Sequence, residues 1–178
     1  MGHFAIVFML SLSVVGANLS ASESDPRLQQ LSDFIELKIG AGEGKRPLVV
    51  LLPGCLGWHP HHAMWQKRLL QSGYATLHVD TFKAESLENR AQLQREVCSG
   101  KRLHGQVRAA DLMVALSSFQ GKETIDTSQT ILLGWSHGAW SAFEFLVRSY
   151  SGSVSSTLSK FPQLDHVTVK GAFLFYPY

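Results

Sequence analysis

The chain has 178 residues, of which 45% are hydrophobic and 17% charged. That composition is globular and supports one domain with a sizeable core. The 16 basic and 14 acidic residues leave a net charge of +2 without long runs of either sign. This excludes a disordered chain and gives no basic surface for nucleic acid.

Phe4 to Val15 is an apolar run broken only by Ser11 and Ser13, and Gly16-Ala17-Asn18-Leu19-Ser20-Ala21-Ser22 follows it. The run is too short to span a bilayer and has the length of a signal-peptide core. Val15 and Ala17 suit the −3 and −1 positions of a cleavage site, although Met1-Gly2-His3 lacks the usual basic residue. Residues 1–17 are therefore expected to be an export signal, leaving no stable membrane anchor once cleaved. The mature chain is expected to be periplasmic or secreted, where disulfides persist. Residues 18–33 read as a polar lead-in, and residues 34–178 as the folded domain.

Phe34 to Ile39 alternates apolar and polar residues, as a half-exposed strand does. Glycines 40, 42 and 44 mark a turn, and Leu48-Val49-Val50-Leu51-Leu52 is a continuous apolar run. Such a run predicts a central strand covered on both faces, stopping at Pro53-Gly54. His61 to Ser72 predicts a helix, with Trp65 and Leu69 one turn apart and Gly73 ending it. Ala75 to Asp80 predicts a second inner strand. The polar connection from Thr81 to about Lys101 has room for a short helix within Glu85 to Glu96. Val107, Ala110 and Val114 share one face of a helix that runs to about Phe119. Thr130 to Trp135 predicts a strand, and Phe143, Leu146, Val147 and Tyr150 stripe the helix that follows. Serines dominate from Ser149 to Ser159, which predicts a loop, and Val167 to Tyr176 predicts a last strand. Strands alternating with helices imply a mostly parallel sheet with helices on both faces.

The chemistry gathers at Gly134-Trp135-Ser136-His137-Gly138. An apolar strand, Gly-x-Ser-x-Gly and a helical pattern in immediate succession form a nucleophile elbow. The cramped turn holds the Ser136 hydroxyl out over the strand's end, and the flanking glycines avoid collisions with neighbouring backbone. The backbone N–H of His137 then stands at a helix N-terminus, where an oxyanion would form.

With Leu52-Pro53-Gly54-Cys55-Leu56-Gly57-Trp58 after the first parallel strand, these parts resemble the α/β-hydrolases. Adding Gly73-Tyr74-Ala75-Thr76-Leu77-His78-Val79-Asp80, Arg108-Ala109-Ala110-Asp111 and Gly171-Ala172-Phe173-Leu174-Phe175-Tyr176-Pro177, they most resemble the dienelactone hydrolase family. The resemblance covers roughly residues 34 to 178. Founding members of that family use cysteine as nucleophile, so Ser136 is a departure toward its serine-using relatives, and the dienelactone substrate is not carried over. The resemblance implies hydrolysis of a small carboxylic ester or lactone through an acyl-Ser136 intermediate, without a cofactor. It also implies an oxyanion hole made by the backbone N–H groups of His137 and Cys55, with Leu56 as the alternative to Cys55.

A serine needs a base, and in this fold an acid and then a histidine follow the nucleophile. The adjacent Asp165 and His166 precede the last strand, at the end of the sheet away from Ser136. In the family the partners follow later strands, so the sequence is expected to stop before the C-terminal strands and helices that carry them. The alternative is a non-catalytic binding protein on the same fold; a peptidase of the same superfamily is a nearer one. His59-Pro60-His61-His62 suits the exposed start of a helix, and no ligand spacing supports a metal. Cys55 and Cys98 fall in loops at one end of the sheet, where export permits a disulfide. The His137 side chain is expected to shape the pocket. Trp58 and Trp135 are expected to line an apolar part of it, and Trp140 to pack in the core.

Overall fold

The computed structural model describes residues 26–153, 158 and 160–176. The export segment at 1–17, part of the lead-in and much of the serine loop lie outside these residues.

The centre of the fold is β2 (Arg46–Leu52), whose side chains are almost entirely buried. Its apolar run has both faces covered, as a central parallel strand requires. Leu48, Val50 and Leu52 face one layer of helices, α5 (Gly105–Ser117) and α6 (His137–Ser151). Val49 and Leu51 face the other side, with Leu69 and Tyr74. β3 (Ala75–Val79) and β4 (Ile125–Trp135) flank β2 in parallel, and β5 (Val169–Phe175) adds in parallel to β4. β1 (Ile35–Lys38) pairs antiparallel with β3, giving the order β1-β3-β2-β4-β5. Its alternating burial is that of the predicted half-exposed strand.

Four expectations change. The folded domain starts before residue 34, because α1 (Pro26–Leu31) buries Leu31 completely in the main core. Arg27 on α1 grips the buried Asp111 of α5 with two bonds, Nε to Oδ1 at 2.7 Å and Nη2 to Oδ2 at 2.9 Å. Burial pushes the Asp111 carboxyl upward and the Arg27 bonds oppose that. The helix after β2, α2 (Pro60–Gln71), turns His62 and Gln66 inward while Trp65 is 38% exposed. Gln66 tolerates this by accepting from Lys38 Nζ and donating to Glu36 Oε1, both at 3.0 Å.

The long connection holds two short helices, α3 (Thr81–Ala84) and α4 (Arg90–Glu96). Asn89 starts α4 by accepting the Gln92 N–H at 2.8 Å. Phe82, Leu87, Leu93, Val97 and Leu103 form a small second core beneath this connection. On α6 the expected stripe is out of phase except at Leu146, which packs against the main core. Phe143, Val147 and Tyr150 are exposed, whereas Ala139, Ser141, Ala142 and Phe145 are buried. Close approach of α6 to the sheet selects small residues on the inner face, so hydrophobicity alone misplaces it. The helix runs to Ser151, into the predicted serine loop, and stops where Gly152 takes φ 64°.

Candidate active site

β4 and α6 meet at Ser136, which has φ 50° and ψ −118°, a strained conformation for a residue with a side chain. The turn is bonded on both sides. The Ser136 N–H donates to the Phe175 carbonyl at 2.7 Å, and the Ser136 carbonyl accepts from Ala139 at 2.8 Å and Trp140 at 3.1 Å. A Cβ on Gly134 would lie 2.7 Å from the Ala139 Cα. One on Gly138 would run into the Leu52 carbonyl and reach 2.7 Å from the Pro53 oxygen. Both glycines are therefore required by backbone approach, as the elbow motif implies. His137 is the first residue of α6, and the first N–H groups of a helix have no partner inside it.

Facing the elbow is the loop after β2. The Gly57 N–H donates to the Gly54 carbonyl at 3.0 Å, closing a turn around Cys55 and Leu56, and Gly57 has φ 78°. Cys55 is joined to Cys98 by a disulfide with the Cα atoms 5.1 Å apart, and both Cys55 and Leu56 pack against the small second core. The bridge closes a sequence separation of 43, which is worth about 4 kcal/mol if it acts by restricting the unfolded chain. A Cys55→Ala/Cys98→Ala double variant is expected to lose stability of about that size, read from its denaturation midpoint.

Ser136 opens onto a cleft of about 470 Å³ shared with Cys55, Leu56, Trp135, Tyr176 and three histidines, His59, His61 and His62. Trp135 thus stands where the sequence places it. Trp58 does not: it lies in the layer behind, with its ring 5.3 Å from His62 and 4.6 Å from His78. The inward turn of α2 puts His62 between Trp58 and the cleft. His62, expected at an exposed helix start, is 1% exposed and edge-on to Trp135 with ring centres 4.7 Å apart. Its Nδ1 accepts the His59 N–H at 2.9 Å, so the ring proton is on Nε2. Burial and the neighbouring histidines lower its pKa to about 3.

The His137 ring also departs from expectation. It is buried away from the cleft, 4% exposed, with Nδ1 3.0 Å from Nη1 of Arg108. A guanidinium only donates, so Nδ1 is the acceptor and His137 is neutral. Burial, first, and the Arg108 charge hold its pKa at about 3. Arg108 is 2% exposed, and the same Nη1 donates to the Pro53 carbonyl at 2.9 Å. The Arg108 guanidinium carbon lies 4.7 Å from the centre of the Phe82 ring. Burial lowers its pKa to about 10, which leaves it a cation at neutral pH. Trp140 closes this region from outside, its ring filling the place of a side chain on Gly105.

Asp165 and His166 lie at the opposite end of the sheet. The His166 carbonyl accepts from Thr127 Oγ1 at 2.8 Å, and its ring Nε2 is 3.0 Å from the Leu116 carbonyl. Thr127 lies near the start of β4 and Ser136 just past its end, a separation of roughly 25–30 Å at strand rise. Neither residue serves Ser136. Among the described residues, no three His, Cys, Asp or Glu side chains are grouped to hold a metal ion.

The turn at Ser136, its glycines and the loop after β2 are legible in the sequence, whereas the burial of Arg108 and His62 is not. Both look like ordinary polar positions on amphipathic helices. A basic residue at the start of an otherwise apolar helix was the available signal for Arg108.

No protein-family model matches the sequence, and no curated protein is significantly similar to it. Solved structures do resemble the fold. A dienelactone hydrolase-like promiscuous phosphotriesterase from metagenomic libraries superposes with a TM-score of 0.53 at 18% identity, over 81% of this chain and 60% of that one. Esterase B from Lactobacillus rhamnosis gives a TM-score of 0.45 at 13% identity, over 85% of this chain and 53% of that one. A candidate dienelactone hydrolase from Klebsiella pneumoniae gives 0.44 at 17% identity, over 59% and 51%. The chain spans between 51% and 60% of the length of these structures. By its strand order, its elbow and the first of these likenesses, the chain has the α/β-hydrolase fold of dienelactone hydrolase-like structures.

Proposed function

We propose that the whole protein hydrolyses a small carboxylic ester or lactone, with Ser136 as the nucleophile. The observation that carries this is the strained Ser136 turn between β4 and α6, open to a cleft and flanked by glycines that admit no side chain. In the proposed reaction the Ser136 oxygen gives up its proton and attacks the carbonyl carbon, the C–O bond to the alcohol breaks as the leaving oxygen gains a proton, and water then adds to the acyl-serine, freeing the acid and restoring the Ser136 hydroxyl. The backbone N–H groups of Cys55 and His137 stabilise the tetrahedral oxyanion, each lowering the barrier by about 3–4 kcal/mol. The apolar surface of Leu56 and Trp135 suits an apolar acyl or alcohol group. The dienelactone hydrolase-like and esterase names among the structural likenesses agree with an ester-type substrate. The disulfide fits an exported enzyme.

A fluorophosphonate tests this proposal. The whole protein should take up one label, mapped by mass spectrometry to Ser136, and Ser136→Ala should take up none. A correctly folded whole protein that neither labels nor cleaves simple aryl esters would instead be a binding protein on a hydrolase fold.

A further inference from the structure

We propose that Arg108 is a positioning residue that sets the two halves of the oxyanion hole relative to each other. The inference rests on the proposed function, because it presumes that the Cys55 and His137 N–H groups act on the oxyanion. Those groups come from different elements, the loop after β2 and the turn after β4. A hole built from two loops works only if their separation is held within a fraction of an ångström.

One nitrogen spans the gap. Arg108 Nη1 donates to the Pro53 carbonyl at 2.9 Å and to the His137 ring at 3.0 Å. Pro53 lies two residues before Cys55, and His137 is itself the second donor. Each hydrogen of Nη1 thus fixes one side of the hole.

The surroundings leave the guanidinium little freedom. Its Nε is buried without a hydrogen-bond partner, the Phe82 ring lies against the guanidinium, and the whole residue is 2% exposed. Its bonded partners are a carbonyl and a ring nitrogen rather than a carboxylate. A buried cation held this way is costly for stability alone, since an apolar side chain would fill the space more cheaply. A structural ion pair is available on the same helix at Asp111, yet Arg27 takes it. Arg108 is spent on the elbow instead. Its bond also requires the neutral His137 ring found here.

The test compares Arg108→Met and Arg108→Lys with wild type in the whole protein, using an aryl ester and a trifluoromethyl ketone. The ketone adds to the serine and places an oxyanion in the hole. Arg108→Met should lower kcat by about 30-fold or more with KM within about twofold. Its inhibition constant for the ketone should rise in the same proportion as kcat/KM falls. Arg108→Lys keeps the charge but not the fork, and should fall between the two. If Arg108→Met does not fold, Arg108→Lys carries the test alone. A folded variant with wild-type kcat, or a loss confined to KM, overturns the inference while leaving the serine mechanism standing. A wild-type protein with no turnover and no label on Ser136 overturns both.

Discussion

Ser136→Gly is expected to be more stable than wild type and unable to hydrolyse esters. A side chain at φ 50°, ψ −118° costs about 1–3 kcal/mol. Glycine escapes most of that, less the extra backbone entropy it loses on folding. The Ser136 side chain makes no capping bond to α6, so nothing is lost there. A net gain of about 1 kcal/mol should raise the melting temperature by roughly 2–4 °C in a chain of this size. Ester hydrolysis should fall by about 10⁴-fold or more, as when the nucleophile is removed from a serine enzyme. Ser136→Ala should be equally inactive without the gain, because alanine keeps the strained φ. Thermal unfolding of the three proteins decides the matter. Equal melting temperatures for the glycine and alanine variants would mean that the turn is not strained.

Gly138→Ala should be far more damaging to the fold than any change at Ser136. Its Cβ would be driven into the Leu52 carbonyl, which is backbone at the end of the central strand and cannot rotate away. Either α6 lifts from the sheet or β2 is displaced, and both open the main core. A loss of about 4 kcal/mol or more is expected, enough to leave much of the protein unfolded at 37 °C. Gly171→Ala in β5 is the control, since nothing lies within 4 Å of its added Cβ and its φ is ordinary. That variant should stay within about 0.5 kcal/mol of wild type in denaturant. Soluble, wild-type-like Gly138→Ala would show that the packing of α6 on β2 is looser than described.

How much of this was legible beforehand depended on whether local sequence and tertiary demand agreed. At Leu48 to Leu52 they agreed: a continuous apolar run has only one comfortable place, the middle of a two-sided sheet. At Gly134 to Gly138 the same was true, because two glycines around a serine encode backbone approach directly. On α6 they diverged. Phe143, Val147 and Tyr150 form a helical stripe by spacing, but the sheet selects the small face of Ala139 and Ala142. α1 was illegible for a different reason: PRLQQL has one buried leucine and holds on through an arginine whose partner is 84 residues away. The histidines of α2 look like surface residues because no local rule says that His62, and not Trp65, turns inward. Arg108 belongs to the same class, since its acceptors sit 55 and 29 residues distant.

The strand order also imposes a schedule on synthesis. β2 is made early, gains β3 after a short delay, and obtains its other partner only when Trp135 has left the ribosome, about 80 residues after Leu52. At ordinary elongation rates that is roughly 4–16 s during which one edge of the most apolar strand has no neighbour. The loop carrying Cys55 is released at the start of this interval and the turn carrying Ser136 at its end. A nascent chain paused between them holds half of a site and an open strand edge, which is the interval when a holding chaperone would matter most.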